Sequence, residues 1–277
     1  MESGLTEEQA LATHHRTVTA QEAGKATGHY LPGLLFTYGH PLTGKPYPIL
    51  TGKWSKKPFT RLKPDWAKAD PAKRESYADE DGNRPKYLSP KGSGSRPYFS
   101  PLMDWGKVLK KSSVPIVLTE GEKKGDAGCA IGIPTIAGSG VSAFVDRNSR
   151  GEWQGVDGSA WDCDEPEFAG AISRFLPELE EINWKWRPVG IAFDSDLVVK
   201  SSVSKAMESL LSHTRARAGR GFPILLPNEV DGKKTVLMTS SPAMGPRPLP
   251  NCSMPSTASN PPPREWWSTS AKNLGGP

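Results

Sequence analysis

The sequence predicts an α/β fold in which a mainly parallel sheet is flanked by helices and preceded by a smaller, basic α+β subdomain. The first observation is a series of four short apolar runs after residue 105, separated by segments of helical character. Short apolar runs bounded by polar residues are typical of buried parallel strands, and strand–helix alternation is typical of α/β folds. The second observation is a change of composition. Proline, glycine and charged clusters interrupt residues 30–105, and the apolar runs begin only after them.

The elements follow in order from the N-terminus. In the N-terminal subdomain we expect a helix within residues 5–25, strands near 33–37, 47–51 and 58–62, and an exposed loop at 64–85. In the second part we expect strands at 114–119, 133–137, 188–193 and 222–226, and helices at 122–131, 165–181 and 202–217. The last of these helices is amphipathic, and its apolar face carries Val203, Met207, Leu210 and Leu211.

Three regions result: a basic N-terminal subdomain at residues 1–105, the α/β domain at 106–234 and a tail at 235–277. Nine of the 27 prolines fall in the last 39 residues, and the tail shows neither the period of a strand nor that of a helix. A proline-rich segment without such a period does not bury enough apolar surface to order itself. We therefore expect the tail to be disordered.

The chain is basic, with 35 Lys and Arg against 30 Asp and Glu, and the excess is concentrated in residues 51–100. That segment holds 12 Lys and Arg, 6 Asp and Glu, and the aromatic residues Trp54, Phe59, Trp66, Tyr77, Tyr87, Tyr98 and Phe99. Cations that meet phosphates and rings that stack on bases together form nucleic-acid surfaces. The alternative is a solvated loop region whose rings dock onto a neighbouring core, and the sequence leaves both interpretations open.

Cysteine and histidine spacing argues against two kinds of site. The three cysteines, Cys129, Cys163 and Cys252, lack metal-ligand spacing, and their odd number makes a disulfide framework unexpected. No cysteine or further histidine stands at zinc-finger spacing from His14 and His15, so we expect no zinc. No apolar run approaches the roughly 20 residues that span a bilayer, and the acidic N-terminus does not resemble a signal peptide. We expect a cytoplasmic protein with no membrane partner.

Carboxylates follow two of the predicted strands. Glu120 and Gly121 come directly after the first strand of the α/β domain, and the glycine permits a sharp turn into the next helix. Asp194 and Asp196 come directly after the third strand, and residues two apart on an extended chain point the same way. Each motif alone also has an ordinary explanation, since a glutamate complements a helix dipole and Asp-x-Asp occurs at helix caps.

The two motifs together predict a metal site. Two carboxylates about 5 Å apart repel by roughly 3 kcal/mol at an effective dielectric near 20, so Asp194 and Asp196 need a cation, a proton or a basic partner. Open α/β sheets place their sites at the carboxyl ends of the strands, where Glu120 would join the pair. Oxygen ligands of this kind suit Mg²⁺ or Mn²⁺, and such an ion can clamp phosphate oxygens.

Two stretches carry a resemblance to a known fold: IVLTEGEKKGDAGCAIGIPTIAGSGV, from residue 116, and VGIAFDSD, from residue 189. They resemble the TOPRIM domain of bacterial-type primases, topoisomerases and related nucleases. More closely, residues 25–234 resemble the family catalogued as domain of unknown function 3854, found on phage, plasmid and other mobile-element replication proteins. The stretch RPKYLSP, residues 84–90, also resembles the Lys-Tyr-Leu segment of the basic subdomain that precedes the TOPRIM fold in bacterial primases.

The resemblance implies a role for each matching residue. Glu120 matches a general acid/base or metal ligand, and Asp194 and Asp196 match the metal-binding pair. The matching backbone turns near the site are at Gly121, Gly138 and Gly140. The basic residues expected to approach a nucleotide or template phosphate are Arg61, Lys86 and Lys123. Lys124 stands where bacterial primases usually carry an acidic residue, as in the Glu-Gly-Glu-Lys-Lys variant of the closer family.

The implied function is that of a Mg²⁺- or Mn²⁺-dependent enzyme of DNA replication, specifically a primase-like nucleotidyltransferase of a mobile element. Its partners would be single-stranded DNA or nucleotides, and a replicative helicase on another chain. A TOPRIM nuclease would use the same acids. A non-catalytic DNA-binding accessory domain, favoured by Lys124 and by the tail, is a second class. A glycosyltransferase using Asp194 and Asp196 is a third, although no nucleotide-sugar site accompanies the pair.

The tail departs from the resembling family, which continues after a Gly-Lys-Lys like residues 232–234 with a Gly-x-Asp-Asp segment and a helix. Permitted codons for residues 235–251 also encode, when read two bases later, Gly-Ala-Asp-Asp followed by an amphipathic helix. We therefore hypothesise that the tail is a frameshift product. Sequencing the gene tests this hypothesis, which fails if the alternative frame lacks Gly-x-Asp-Asp.

Overall fold

The structure is a computed structural model that describes residues 4–49, 53–146, 174–193 and 201–224. The helices in these ranges are α1 (Glu7–Ala12), α2 (Ala20–Thr27), α3 (Pro71–Ser76), α4 (Trp105–Lys110), α5 (Glu122–Ala130), α6 (Pro177–Glu180) and α7 (Ser201–Ala216). The strands are β1 (Arg16–Val18), β2 (Gly33–Thr37), β3 (Thr60–Pro64), β4 (Tyr98–Phe99), β5 (Ile116–Glu120), β6 (Thr135–Gly138), β7 (Val145–Asp146), β8 (Arg174–Phe175), β9 (Pro188–Ala192) and β10 (Arg220–Ile224).

A five-stranded sheet forms the larger part of the molecule, and its spatial order is β10-β9-β5-β6-β4. The first four strands in this order are mutually parallel, and the short β4 adds to the edge in the antiparallel direction. The parallel strands occupy the four apolar runs of the sequence to within two residues at either end. The prediction of an α/β fold with a mainly parallel sheet is therefore confirmed.

The chain winds around this sheet in two directions. From the central β5 it crosses to β6 on one side, returns to β9 on the other side, and continues outward to β10. Apolar residues from the strands and from α4 and α7 pack into one core, in which Ile116, Leu118 and Ile191 have no exposed surface. On α7 the predicted apolar face is present, because Val203, Met207 and Leu210 are buried in that core and Leu211 packs against it.

The N-terminal part of the chain forms a three-stranded antiparallel sheet of order β1-β2-β3, onto which α2 packs. The prediction of a single helix within residues 5–25 is wrong, because two helices begin there, with β1 between them. Each helix begins at its own threonine capping box, Thr6 with Gln9 and Thr19 with Glu22. A capping box satisfies the free N–H groups of a new helix, so the second threonine marks a start that the apolar pattern did not reveal.

Two further expectations for this part need correction. The strand expected near residues 47–51 is not present in its described residues, where isolated bridges join Gly39 to Pro46 and Pro48 to Pro58. Proline lacks the N–H group that a strand ladder requires, so pairing does not continue. The segment expected as a loop at 64–85 contains α3, which begins at an Asp70 cap followed by Pro71.

The two sheets share a core. Phe36, Tyr38 and Phe59 of the N-terminal part pack in one buried cluster with Tyr98 of β4 and Ala137 of β6. Because β4 belongs to the five-stranded sheet, the boundary expected at residue 105 falls after the first strand of that sheet and not before it. The N-terminal part is therefore continuous in packing with the larger sheet.

Two other expectations fall largely outside the described residues. The helix expected at 165–181 is described only from residue 174, where β8 and α6 stand, and the tail at 235–277 lies wholly outside. Within the described ranges, no helix combines the length and apolar character needed to cross a membrane.

Candidate functional site

The strand order places a crevice at the carboxyl ends of β5 and β9. These two strands are neighbours, and the chain leaves them in opposite directions, toward β6 and toward β10. In open α/β sheets such a reversal opens a gap between the crossover connections, and ligands bind there. The side chain of Thr119 ties the two ends together, since its hydroxyl donates a 2.8 Å hydrogen bond to the carbonyl of Ala192.

Glu120 is the last residue of β5 and lies at this crevice, partly exposed. The next residue, Gly121, has a φ of 89°, a left-handed value that disfavours any residue with a side chain. Its N–H donates a 2.8 Å bond to Gly138 at the end of β6. A side chain at Gly138 would stand 2.7 Å from the ring of Phe144, whereas one at Gly140 would meet no atom within 4 Å. The fold thus requires glycine at 121 and 138, but nothing in the structure requires it at 140.

Asp194 and Asp196 follow β9 directly in the sequence and lie outside the described residues. Among the residues that are described, no three His, Cys, Asp or Glu side chains form a group that could hold a metal ion. Of the three expected ligands, only Glu120 is therefore placed. As a partly exposed carboxylate at the carboxyl edge, it suits a hard cation, and the metal site remains a prediction.

Arg61 lies close to this edge, but it is buried and paired. Its Nη1 donates a 2.5 Å hydrogen bond to Oε1 of Glu122, and the hydroxyl of Tyr38 donates to the same oxygen. Glu122 is the first residue of α5 and has no exposed surface. Burial, followed by the negative charge of Glu122, raises the pKa of Tyr38 well above its usual value, so the hydroxyl stays a donor. The expected role of Arg61 toward phosphate stays a prediction.

The Lys-Tyr-Leu segment lies beside the same edge. Leu88 exchanges two 2.8 Å backbone hydrogen bonds with Leu62 of β3, which holds Tyr87 over Arg61 with 4.5 Å between the ring centroid and the guanidinium carbon. Burial, followed by the negative charge of Glu122 and to a smaller extent that of Glu120, raises the pKa of Tyr87 to about 12, while the charge of Arg61 acts in the opposite direction. Through Arg61, which bonds Glu122, Tyr87 lies against the side of the molecule where α5 begins.

The expected basic residues therefore differ in setting. Lys86 is exposed, next to Tyr87, and Lys123 is partly buried in the first turn of α5. Helix α5 itself begins at the crevice, and the N-terminus of a helix favours anions. Lys123 and the start of α5 thus follow Glu120 closely in the chain, whereas Lys86 belongs to the Lys-Tyr-Leu segment of the N-terminal part.

A second buried carboxylate lies one turn further along α5. Asp126 accepts a 2.8 Å hydrogen bond from the Tyr98 hydroxyl and lies 2.7 Å from Nε2 of His15. Glu122 and Asp126 are four residues apart, so they share one face of the helix, and that face meets the N-terminal part. Neither carboxylate is exposed at all. These two acids position α5 against the N-terminal part.

The aromatic residues of the basic segment serve the core. Phe59, Tyr98 and Phe99 are buried within core clusters, and the other four pack partly buried against them: Trp54, Trp66, Tyr77 and Tyr87. For these seven rings the structure favours docking onto a core over a surface for stacking on bases. Several lysines of the segment remain exposed, Lys56, Lys86 and Lys91 among them.

Comparison with known proteins bears on one part of the chain. Residues 104–233 match the model of a family described as Domain of unknown function (DUF3854). No curated protein and no solved structure matches the chain. The DUF3854 match contains Glu120, Lys123 and the Asp194–Asp196 motif, whereas Arg61 and Lys86 lie before it.

Sequence analysis missed Glu122, Asp126, Tyr38 and His15. The carboxylates at 122 and 126 carry a recognisable signal, since acids four apart share a helix face. On an isolated helix that pattern indicates a solvated face, and only the tertiary packing reveals that the face is covered. His15 and Tyr38 come from distant parts of the sequence, and nothing in their neighbours indicates their partners.

Proposed function

We propose that this chain is a divalent-metal-dependent enzyme of DNA replication with a TOPRIM-like catalytic domain, specifically a primase-like nucleotidyltransferase of a mobile element. The observation that carries the proposal is the position of Glu120 at the point where the strand order of the sheet reverses. This is where an α/β sheet offers a ligand crevice, and the Asp194-x-Asp196 motif follows the strand on its other side.

The charge around Glu120 supports a phosphate-bearing substrate. The exposed Lys86, the nearby Lys123 and the N-terminus of α5 all favour an anion, while Glu120 repels one unless a cation stands between them. A carboxylate bordered by cations is the setting in which Mg²⁺ and phosphate bind together. The match of residues 104–233 to a family of unknown function neither supports nor opposes this proposal.

The proposed roles follow from these positions. Glu120, Asp194 and Asp196 would hold Mg²⁺ or Mn²⁺, which supplies charge neutralisation for transferring phosphate oxygens. Glu120 would accept or return a proton at the attacking hydroxyl, a task that its partial exposure permits. Lys86 and Lys123 would orient the nucleotide or the single-stranded template through their phosphates. A helicase, if needed, would be supplied by another chain.

Primer synthesis on single-stranded DNA tests the proposal. The chain is incubated with nucleotides and Mg²⁺ or Mn²⁺, beside the Glu120→Gln and Asp194→Asn/Asp196→Asn variants. Glu8→Gln, which changes an exposed carboxylate in the first turn of α1, is the matched control. We expect template-dependent products from the chain and from the control, and a loss of at least about a hundredfold in the two site variants.

Three other outcomes separate the alternatives. Metal-dependent cleavage of the template without synthesis, lost in the same variants, would replace the polymerase by a nuclease. DNA binding without any product would favour a non-catalytic accessory domain. A version carrying the alternative-frame tail is included in the assay, because activity that appears only with that tail would support the frameshift hypothesis.

A further inference from the structure

The opposite edge of the five-stranded sheet carries a group of exposed basic residues. They lie where the chain enters β5, β9 and β10, which are neighbours in the sheet: Lys110 and Lys111 at the end of α4, Lys185 before β9, Arg215 in the last turn of α7 and Arg220 at the start of β10. A five-residue strand rises about 13 Å between its ends, so this amino edge is separated from Glu120 by the full height of the sheet. The group belongs to none of the contacts described for the candidate site.

Trp186 stands within this group and is 58% exposed. Tryptophan usually buries most of its ring, as Trp184 does two residues earlier, where the indole N–H donates a 2.7 Å bond to Leu179. Among the cations in the described residues, only the guanidinium of Arg220 lies over the ring of Trp186, at 5.4 Å from the ring centroid. A large apolar ring is therefore presented to solvent beside Arg220, with Lys185 next to it in the sequence.

The backbone holds this ring in place at a conformational cost. Trp186 has a φ of 61° and Ala218, in the adjoining turn, has a φ of 56°. This left-handed region is unfavourable for residues with a Cβ atom, and strain of this kind concentrates at functional sites. The two turns hold each other, because the N–H of Trp186 donates a 2.8 Å hydrogen bond to the carbonyl of Ala218.

Arg187 fixes the turn to the rest of the edge. Its buried guanidinium donates to the carbonyls of Val108 and Leu109 in α4 and of Val114 before β5. The end of α4, with Lys110 and Lys111, is thereby held next to the turn that presents Trp186. The nearby Arg217 pairs with Glu180 and does not add to the unpaired positive charge.

We infer that this amino edge is a contact surface for single-stranded nucleic acid, with a base stacked on Trp186 and the phosphates bound by the surrounding lysines and arginines. The positive charge matches a phosphodiester backbone, and the exposed ring matches a base face. A duplex hides its base faces within the stack, so the ring selects the single-stranded form. The surface is distinct from the crevice at Glu120 and needs no metal ion.

Equilibrium binding of a labelled oligothymidylate to the full chain tests this surface. Fluorescence anisotropy is followed over a salt series in the presence of EDTA, so the result does not depend on chemistry at Glu120. Trp186→Ala should weaken binding by about tenfold at every salt concentration, since one stacked base is lost. Trp186→Phe should retain most of the affinity. Lys185→Gln/Arg220→Gln should lower the slope of log K against log salt by about 1.4, as expected for two lost phosphate contacts.

Tyr30→Ala is the matched control. Tyr30 is 52% exposed with Lys73 placed 4.9 Å from its ring centroid, so it has the same chemistry on the three-stranded part of the chain. The inference is overturned if folded Trp186→Ala binds as tightly as wild type, or if Tyr30→Ala loses as much. An unchanged salt slope in the double variant overturns the inference as well. The amino edge would then be a surface for a protein partner. Should Trp186→Ala fail to fold, the Phe and double variants decide.

Discussion

The two surfaces of contact within this molecule are built from different chemistry. The five-stranded sheet packs against α4 and α7 through aliphatic and aromatic side chains, with Leu118 and Ile191 at its centre. The contact between α5 and the N-terminal part, which we call the polar seam, is built from buried charges and hydroxyls: Tyr38, Arg61, Glu122, His15, Tyr98 and Asp126. An apolar core stabilises any well-packed arrangement, whereas a buried charge is tolerated only in the arrangement that pairs it.

The main effect of the polar seam is therefore to fix one position of the N-terminal part against α5. Its contribution to the free energy of unfolding is the smaller effect. That position decides where Lys86 and Tyr87 stand relative to Glu120. Glu122 is bonded by both Tyr38 and Arg61, so this half of the seam depends on a single carboxylate, and Asp126 has the same place in the other half. Substitutions in the polar seam and in the apolar core separate these two effects.

The largest effect is expected from Glu122→Leu. The substitution leaves the buried guanidinium of Arg61 without its partner, which should lower the free energy of unfolding by about 3–5 kcal/mol. The triple variant Tyr38→Phe/Arg61→Met/Glu122→Leu removes all three of these bonded polar groups. It should lower the free energy of unfolding by less than Glu122→Leu alone. Urea unfolding followed by circular dichroism measures both.

Leu118→Ala is the control on the apolar side. The substitution leaves a cavity at a site with no exposed surface and should lower the free energy of unfolding by about 2–5 kcal/mol. Changing its neighbours to polar residues as well should not restore that stability. If the triple variant is less stable than Glu122→Leu, the buried charges stabilise the fold directly and the comparison is wrong.

A smaller effect is expected from Tyr98→Phe. The variant keeps the ring in the shared core but removes the donor to the Asp126 carboxylate, which retains His15. A hydrogen bond to a charged group contributes about 1.5–3 kcal/mol to the free energy of unfolding. Tyr30→Phe, which removes a hydroxyl from an exposed ring, should change the same measurement by less than about 0.5 kcal/mol. Equal stability of both variants would show that Asp126 does not depend on Tyr98.

The same contrast explains what the sequence could predict. The apolar runs predicted as strands at 114–119 and 188–193 correspond to β5 and β9 to within two residues, because a buried parallel strand requires a local pattern that its own residues display. The carboxyl edge followed from those strands, and Glu120 was placed at it correctly.

The polar seam could not be predicted in this way. Arg61 was expected to approach phosphate, since an arginine among basic neighbours carries no mark of a buried partner 61 residues away. The split into α1 and α2 was missed for a related reason. Neither proline nor glycine interrupts residues 5–23, and the break depends on β1 pairing with β2. Asp194 and Asp196 stay predictions, because they lie outside the described residues.

The smallest effect at neutral pH, and the most direct test of where the Lys-Tyr-Leu segment stands, is expected from Tyr87→Phe. The folded state raises the pKa of Tyr87 to about 12 through burial and the charges of Glu122 and Glu120, whereas an unfolded tyrosine loses its proton near 10. The neutral hydroxyl thus adds stability that is constant below pH 10 and is lost as pH rises toward 12. Phenylalanine has no proton to lose, so the variant should lose less stability than wild type across that range and differ little at pH 7. Urea midpoints measured from pH 7 to 12 give this difference, and the other tyrosines contribute equally to both proteins. Parallel curves between pH 10 and 12 would mean that Tyr87 is not buried beside Arg61 and Glu122, and the Lys-Tyr-Leu segment would then not lie against the start of α5.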